Sequence, residues 1–204
     1  MTAGTDSIAT PGSAPRRTGY GDPVDDHAIE PDPGVTGIRA SAEHHVRIDG
    51  RAWRATDPGI PDALRSELVD ALMAARRAVG TARRAGDDAA VASARRRVQD
   101  AKVALGERGH PWWEPPETPA IHDRLVATIL TLCRHRGPQR SICPSDAARV
   151  VGGEDWRDQM VTARAAAAEL ARAGEVRILA RGRELDPSGT FRGPVRIALA
   201  DRPR

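Results

Sequence analysis

The chain has 204 residues, enough for one ordinary domain or for two small ones joined by linkers. An aromatic content of 3% and a mean hydropathy of -0.48 limit the core, so alanine is expected to supply much of the packing. Two cysteines are too few for a disulfide framework and favour a reducing compartment. No apolar run is long enough to span a bilayer, and the N-terminus has no secretory signal, so we expect a cytoplasmic protein without membrane association.

The basic side chains are almost all arginine, because Lys102 is the only lysine. A guanidinium suits bidentate contact with phosphate better than an ammonium does, although a GC-rich genome would also replace lysine throughout. From residue 119 onward there are 15 arginines against 10 acidic residues, whereas acids slightly outnumber bases before that point. The C-terminal part is therefore the basic part.

Composition divides the chain into three segments. Residues 1–43 hold five prolines among Gly, Ser, Thr and acids, with no apolar period, which predicts a disordered tail. Residues 44–116 and 117–204 both show apolar periodicity, and Pro115-Pro116 marks a linker between them. We therefore predict two small folded regions, mainly α with small β.

The first folded region, residues 44–116, is predicted to be a β-hairpin followed by a helical hairpin. Asp49-Gly50 is a strong two-residue turn signal that pairs Val46 with Trp53. Apolar residues at helical spacing then predict two antiparallel helices, over about 61–85 and up to about 105. The pair Trp112-Trp113 is expected to pack on the open end of the helical hairpin; base stacking or partner docking is the alternative.

The second folded region, residues 117–204, has the element order of a winged helix. The first predicted helix begins at Thr118 as N-cap with Pro119 at its first position, has an apolar stripe that includes Leu125 and Ile129, and ends at Gly137-Pro138. The other predicted elements are a strand at 141–143, helices at 144–151 and 155–173, and strands around 176–178 and 195–199. The loop at 181–193 carries turn residues at 186–189 and would form the wing, while the third helix would be the recognition helix.

The predicted function is nucleic-acid binding without catalysis, with DNA as the partner and a regulatory role. Arginines of the wing would contact phosphates, and exposed residues early in the third helix would contact base edges. The candidate residues are Arg157, Thr162, Arg181, Arg183, Arg192 and Arg196. Three acids at the start of that helix, Glu154, Asp155 and Asp158, argue against this interpretation because they would face phosphates in a groove.

The alternative is an adaptor that uses the winged helix and the helical hairpin to bind a protein, with no DNA contact. Arginine clusters at 76–77, 83–84 and 95–97 would form either a solvated surface or a docking surface for an acidic partner. An enzyme is not expected, because the sequence shows no nucleophilic side chain with a general base at a spacing typical of an active site. No cofactor is expected either.

Cys133, His135 and Cys143 are residue types that can bind zinc. Positions 133 and 135 point about 200° apart on a helix, so they cannot share a metal without unwinding it. A fourth ligand is also missing, so we predict buried cysteines and no metal site.

The run ICPSDAARVVGGEDWRDQM, with the later RGRELDP and RGPVRI, resembles a small bacterial domain family of unknown function over about 120–199. The resemblance implies a winged-helix-like fold and no particular activity. The block from His44 to Trp113, which includes HHVRIDGRAWR and ELVDALMAARRAVG, resembles an actinobacterial segment that occurs beside such domains and is sometimes labelled a biopolymer transporter.

Overall fold

A computed structural model describes residues 44–189 and 191–200, so the tail predicted at 1–43 lies outside the described residues. The fold is mainly helical with small antiparallel sheets, as predicted. Its elements are β1 (His45–Ile48), β2 (Arg51–Arg54), α1 (Asp62–Arg84), α2 (Asp88–Ala104), α3 (Thr118–Arg136), β3 (Ser141–Ile142), α4 (Pro144–Gly152), a 3₁₀ segment (Gly153–Gln159), α5 (Met160–Arg172), β4 (Val176–Ala180), β5 (Arg183–Glu184) and β6 (Arg196–Leu199).

The β1–β2 hairpin has the predicted turn and register. Asp49 and Gly50 take positive φ angles of 51° and 79°, as a two-residue type I′ turn requires. Val46 pairs with Trp53, which confirms the predicted register. The hairpin lies beside the tryptophan pair. The ring of His44, which precedes β1, stacks on Trp113 with 4.4 Å between the ring centroids.

The two tryptophans, expected to pack on the open end of the helical hairpin, contact the residues that flank β1 and β2. The Trp112 indole nitrogen donates to the carbonyl oxygen of Ala55 at 3.0 Å, and both indoles are half-buried. α1 and α2 pack against each other along their apolar faces, and the Asp87 side chain caps α2 by accepting a hydrogen bond from the Ala90 amide.

α3 lies at the centre of the molecule. It contacts α1 and α2 on one side and α4, α5 and β6 on others, and Leu125, Ile129 and Leu132 on it are fully buried. One hydrophobic core runs from Leu68 of α1 through α3 to Ile197 of β6. Helices from both predicted folded regions therefore contribute to the same core. Alanines supply much of it, as the composition suggested.

The second sheet has four strands in the order β3-β6-β4-β5. The central pair aligns Ile178 with Ile197, and β3 adds Ile142 beside Ile197, so these three isoleucines share the face turned to the core. The sequence predicted β3, β4 and β6 but not β5, which pairs with β4 at the edge of the sheet.

Two helix starts differ from the prediction. The third helix was expected from residue 155, but that stretch is a 3₁₀ segment with non-helical angles at Asp155, and α5 begins at Met160. Thr118 was expected to cap α3, whereas it is the first helical residue and Glu117 takes the cap position. None of the helices in the described ranges combines the length and apolarity needed to cross a bilayer.

Candidate nucleic-acid interface

The outer face of α5 is open to solvent over its whole length. Val161 is 80% exposed, and Ala165 and Arg172 are exposed further along. Thr162 was expected to be exposed and is half-buried, at the edge of the buried face formed by Ala163, Ala166 and Ala167. Glu169 Oε2 on the exposed face lies 3.1 Å from His122 Nε2. The exposed face therefore combines small apolar side chains with charges at its ends.

The 3₁₀ segment presents an aromatic ring between two arginines. The guanidinium carbons of Arg149 and Arg157 lie 4.7 Å and 4.6 Å from the Trp156 ring centroid. Both arginines are exposed, so their N–H groups remain available to a ligand while the ring holds the guanidinium planes in place. The Trp156 ring thus brings Arg149 close to Arg157, one of the residues that the sequence predicts to contact base edges.

The turn between β4 and β5 begins the loop at 181–193 that the sequence predicts to be a wing. Arg181 and Gly182 take positive φ angles of 50° and 78°, which makes this a second two-residue turn. Arg181 and Arg183 are both exposed, and neither forms an ion pair within the described ranges. Glu184 is the acid next to them, and its carboxylate lies 4.0 Å from Arg177 instead.

Residues 185–194 cross from β5, at one side of β4, to β6 at its other side. A half-buried arginine on α5 holds this loop: Arg164 Nη2 donates to the carbonyl oxygens of Phe191 at 3.1 Å and Gly193 at 2.7 Å. Asp186 makes the predicted turn, because its side chain accepts hydrogen bonds from the Ser188 amide and hydroxyl. These hydrogen bonds lower the pKa of the exposed Asp186 carboxyl.

The two remaining arginines of the predicted site occupy different places. Arg192 is exposed in the loop, beside the two carbonyls that Arg164 holds, and has no ion pair among the described residues. Arg196 lies on β6 and turns toward β3, where it donates to the Ser141 hydroxyl at 3.0 Å and the Ser141 carbonyl oxygen at 2.7 Å. The structure thus separates Arg196 from the β4–β5 turn.

The three acidic residues that argue against DNA binding are also exposed. Glu154, Asp155 and Asp158 lie on the surface of the 3₁₀ segment, next to Arg157 in the chain. Because this segment is not part of α5, the acids do not lie on the straight helix that would enter a groove. They still place negative charge at its N-terminal end.

The two cysteines differ in burial. Cys133 is buried, its thiol contacts the Ile197 carbonyl oxygen at 3.7 Å, and burial raises the pKa of this thiol to about 12. Such a thiol stays protonated and unreactive at neutral pH. Cys143 is half-buried and also free. In the described part of the chain, no three His, Cys, Asp or Glu side chains are close enough to hold a metal ion.

Sequence reasoning missed three features of this surface: the Arg149–Trp156–Arg157 stack, the turn at Arg181-Gly182, and the tether from Arg164. The glycine after a strand was a signal for the turn. No sequence signal marks Arg164, because its partners are backbone carbonyls 27 and 29 residues away.

Residues 122–200 match the model of a family described as "Protein of unknown function (DUF3253)". The match supports the resemblance to a bacterial domain of unknown function predicted for residues 120–199, and its description names no activity. No curated protein matches the chain.

Proposed function

We propose that residues 118–199 form a winged helix that binds nucleic acid without catalysing a reaction. The observation that carries the proposal is the set of exposed arginines at the β4–β5 turn and in the loop after it: Arg181, Arg183 and Arg192. Their guanidiniums are not neutralised by acids of the described chain, so they can neutralise phosphates.

The topology supports this proposal. Three helices followed by antiparallel strands, with β3 and β4 on either side of β6, are the arrangement of winged helices. In that arrangement α5 would face the groove and the β4–β5 turn would follow the backbone. Nothing from α1 or α2 covers the exposed face of α5 that carries Val161 and Ala165.

The conformation of Arg181 gives further support. A residue with a side chain at positive φ costs about 1–2 kcal/mol, which glycine would avoid and asparagine would reduce. An arginine at this position therefore does not stabilise the turn. It places a cation at the outermost point of the wing, where a phosphate can reach it.

The experiment measures DNA binding by the full chain at a series of salt concentrations. Fluorescence anisotropy of a labelled mixed-sequence duplex gives the affinity at each concentration. Each phosphate neutralised contributes roughly −0.9 to the slope of log affinity against log salt, so three wing arginines contribute roughly −3. Arg181→Ala, Arg183→Ala and Arg192→Ala together should weaken binding at every sequence and flatten the slope by about that amount.

The matched control removes three exposed arginines from the helical hairpin, by Arg76→Ala, Arg77→Ala and Arg83→Ala. This variant loses the same charge but should keep the wild-type slope. Equal losses of DNA affinity in the two triple variants would show that the wing arginines are not the contact. Absence of binding by the unmodified chain at low salt would contradict the proposal.

A second candidate function is a protein-interaction adaptor with an acidic or apolar partner and no DNA contact. The observation that favours it is the composition of α5: its exposed face has Val161 and Ala165 where a DNA-reading helix would carry polar side chains. If this candidate is correct, Val161→Asp should abolish capture of a cross-linked partner by the full chain, whereas the triple wing variant should retain it.

A further inference from the structure

A cleft with a basic lining lies on the side of the molecule where α1, the end of α3 and β3 meet. Its volume is about 580 Å³, which lies in the range of small-molecule sites. The lining residues are Glu67, His135, Arg136, Arg140, Ser141 and Arg196. β3 and β5 are the two edges of the sheet, so this cleft and the β4–β5 turn lie at opposite edges.

Arg136 is fixed as the floor of the cleft. Its Nε and Nη2 donate to the two carboxylate oxygens of Glu67 at 2.7 Å and 2.8 Å, and its Nη1 donates to Asp146 at 3.0 Å. The hydrogen bonds from Arg136 lower the pKa of the Glu67 carboxyl, and those with Glu67 raise the pKa of the guanidinium. Both groups therefore remain charged at neutral pH, and the guanidinium of Arg136 offsets the negative charge of Glu67.

The other two arginines keep donors available. Arg196 uses Nε and one N–H of Nη2 on Ser141, so three of its five N–H groups have no described acceptor. The Ser141 hydroxyl accepts from Arg196 and can donate its own proton. Arg140 is exposed, and no ion pair within the described ranges engages it.

The balance of charge in the cleft is positive. Arg136, Arg140 and Arg196 face the carboxylates of Glu67 and Asp146, which leaves one net positive charge before the exposed His135 ring is counted. The free N–H groups and the Ser141 hydroxyl come from β3, β6 and the turn before β3. Donors that converge on a concave surface are the arrangement that binds a compact anion with several oxygens.

We propose that this cleft binds the phosphate group of a small molecule, with Arg140, Arg196 and Ser141 as its hydrogen-bond donors and Arg136 as the fixed charge beneath them. The site is separate from the proposed nucleic-acid surface. A duplex needs an extended surface to follow its backbone, whereas this cleft concentrates its donors at one point.

The test is isothermal titration calorimetry of the full chain with inorganic phosphate and, separately, with AMP as a phosphomonoester. Arg140→Gln with Arg196→Gln should weaken binding of both by on the order of tenfold or more, since each charge-assisted hydrogen bond is about twice as strong as a neutral one. Tighter binding of AMP than of phosphate would identify an ester as the ligand, and equal affinities would identify the free anion.

Two further variants keep the test decisive. Arg140→Gln alone changes an exposed side chain without a described ion pair, so it should reduce affinity without affecting the fold. Arg83→Gln with Arg84→Gln removes two exposed charges about 25 Å along α1 from Glu67 and should leave affinity unchanged. Absence of binding, or equal losses in the cleft and control variants, would overturn the proposal. The triple wing variant should bind phosphate normally, which separates a failure here from a failure of the nucleic-acid proposal.

Discussion

Thr128 and Thr131 lie about one turn apart on α3 and are both buried, but their hydroxyl groups have different surroundings. The Thr128 hydroxyl donates to the carbonyl oxygen of Arg124 at 2.7 Å. The Thr131 hydroxyl has no hydrogen-bond partner among the described residues and lies beside an open pocket of about 160 Å³ that Ala71 and Ala75 also line. A buried hydroxyl without a partner keeps its desolvation cost of about 1–3 kcal/mol.

We expect Thr131→Val to raise the free energy of unfolding by about 1 kcal/mol, because valine has nearly the same shape and removes the unpaired hydroxyl. Thr128→Val is the matched control. It removes a hydrogen bond at the same depth on the same helix and should lower stability by about 0.5–1.5 kcal/mol. Denaturant unfolding of both variants measures the difference, and a destabilised Thr131→Val would show that an ordered water satisfies the hydroxyl.

Sequence reasoning was more successful with burial on regular helices than with the orientation of single side chains. The stripe at Leu125 and Ile129 followed from helical spacing, and both residues are buried. Thr162 lies at the edge of the buried face of α5, next to Ala163, where helical periodicity alone does not decide whether a side chain is exposed.

At the scale of elements, the loop at 185–194 depends on one side chain from a different element. The Arg164 guanidinium bridges two loop carbonyls, and Phe191 and Leu185 pack against the core on either side of the exposed turn. This tether holds Arg192 in a defined place. In the proposed nucleic-acid complex, Arg164 would be a positioning residue, not a contact.

We expect Arg164→Ala to release the loop while leaving the helices intact. Charge-assisted hydrogen bonds contribute about 1.5–3 kcal/mol each, less where solvent competes, so amide hydrogen exchange in 185–194 should accelerate by on the order of tenfold or more. Arg172→Ala, which removes an exposed arginine from the same helix, is the control and should leave exchange unchanged. Unchanged exchange in Arg164→Ala would mean that packing of Phe191 and Leu185 alone holds the loop.

The elements that sequence predicted well have strong local signals. Asp49-Gly50 fixed the first turn because both residues tolerate positive φ. Arg181-Gly182 makes the same type of turn without that signal, since arginine is not a residue of choice there, and β5 was missed with it. The start of α5 was missed because Gly152-Gly153 and the acids after it resemble a helix cap, whereas packing against α4 keeps this stretch in a tighter turn.

At the scale of the molecule, the helical hairpin and the C-terminal part are joined by more than a linker. Three ion pairs cross between them: Arg124 with Asp57 at 2.7 Å, Arg134 with Asp100 at 2.6 Å, and Arg136 with Glu67 at 2.7 Å. The pairs span 34 to 69 residues, so periodicity could not predict them. The buried leucines of α1 and α3 belong to the same core cluster, and the Arg136–Glu67 pair also lines the proposed phosphate cleft.

We therefore expect a fragment of residues 117–204 to be much less stable than the full chain. Removing α1 and α2 takes Leu64, Leu68 and Leu72 out of the shared core, and each such side chain contributes about 1.5–3 kcal/mol when fully buried. Loss of two or three of them amounts to a large share of the 5–15 kcal/mol that stabilises a typical domain. Thermal unfolding followed by circular dichroism should show a broad transition at a much lower midpoint.

A fragment of residues 44–204 is the control, because it keeps every described element and the whole core. Its midpoint should match that of the full chain. A fragment of 117–204 that unfolds cooperatively at the same temperature as the 44–204 fragment would show that the C-terminal part is a self-sufficient domain, and that the shared core adds contact without adding stability. Nucleic-acid and phosphate binding could then be measured on it separately, and the cleft, which needs Glu67 to fix Arg136, should be the site that it loses.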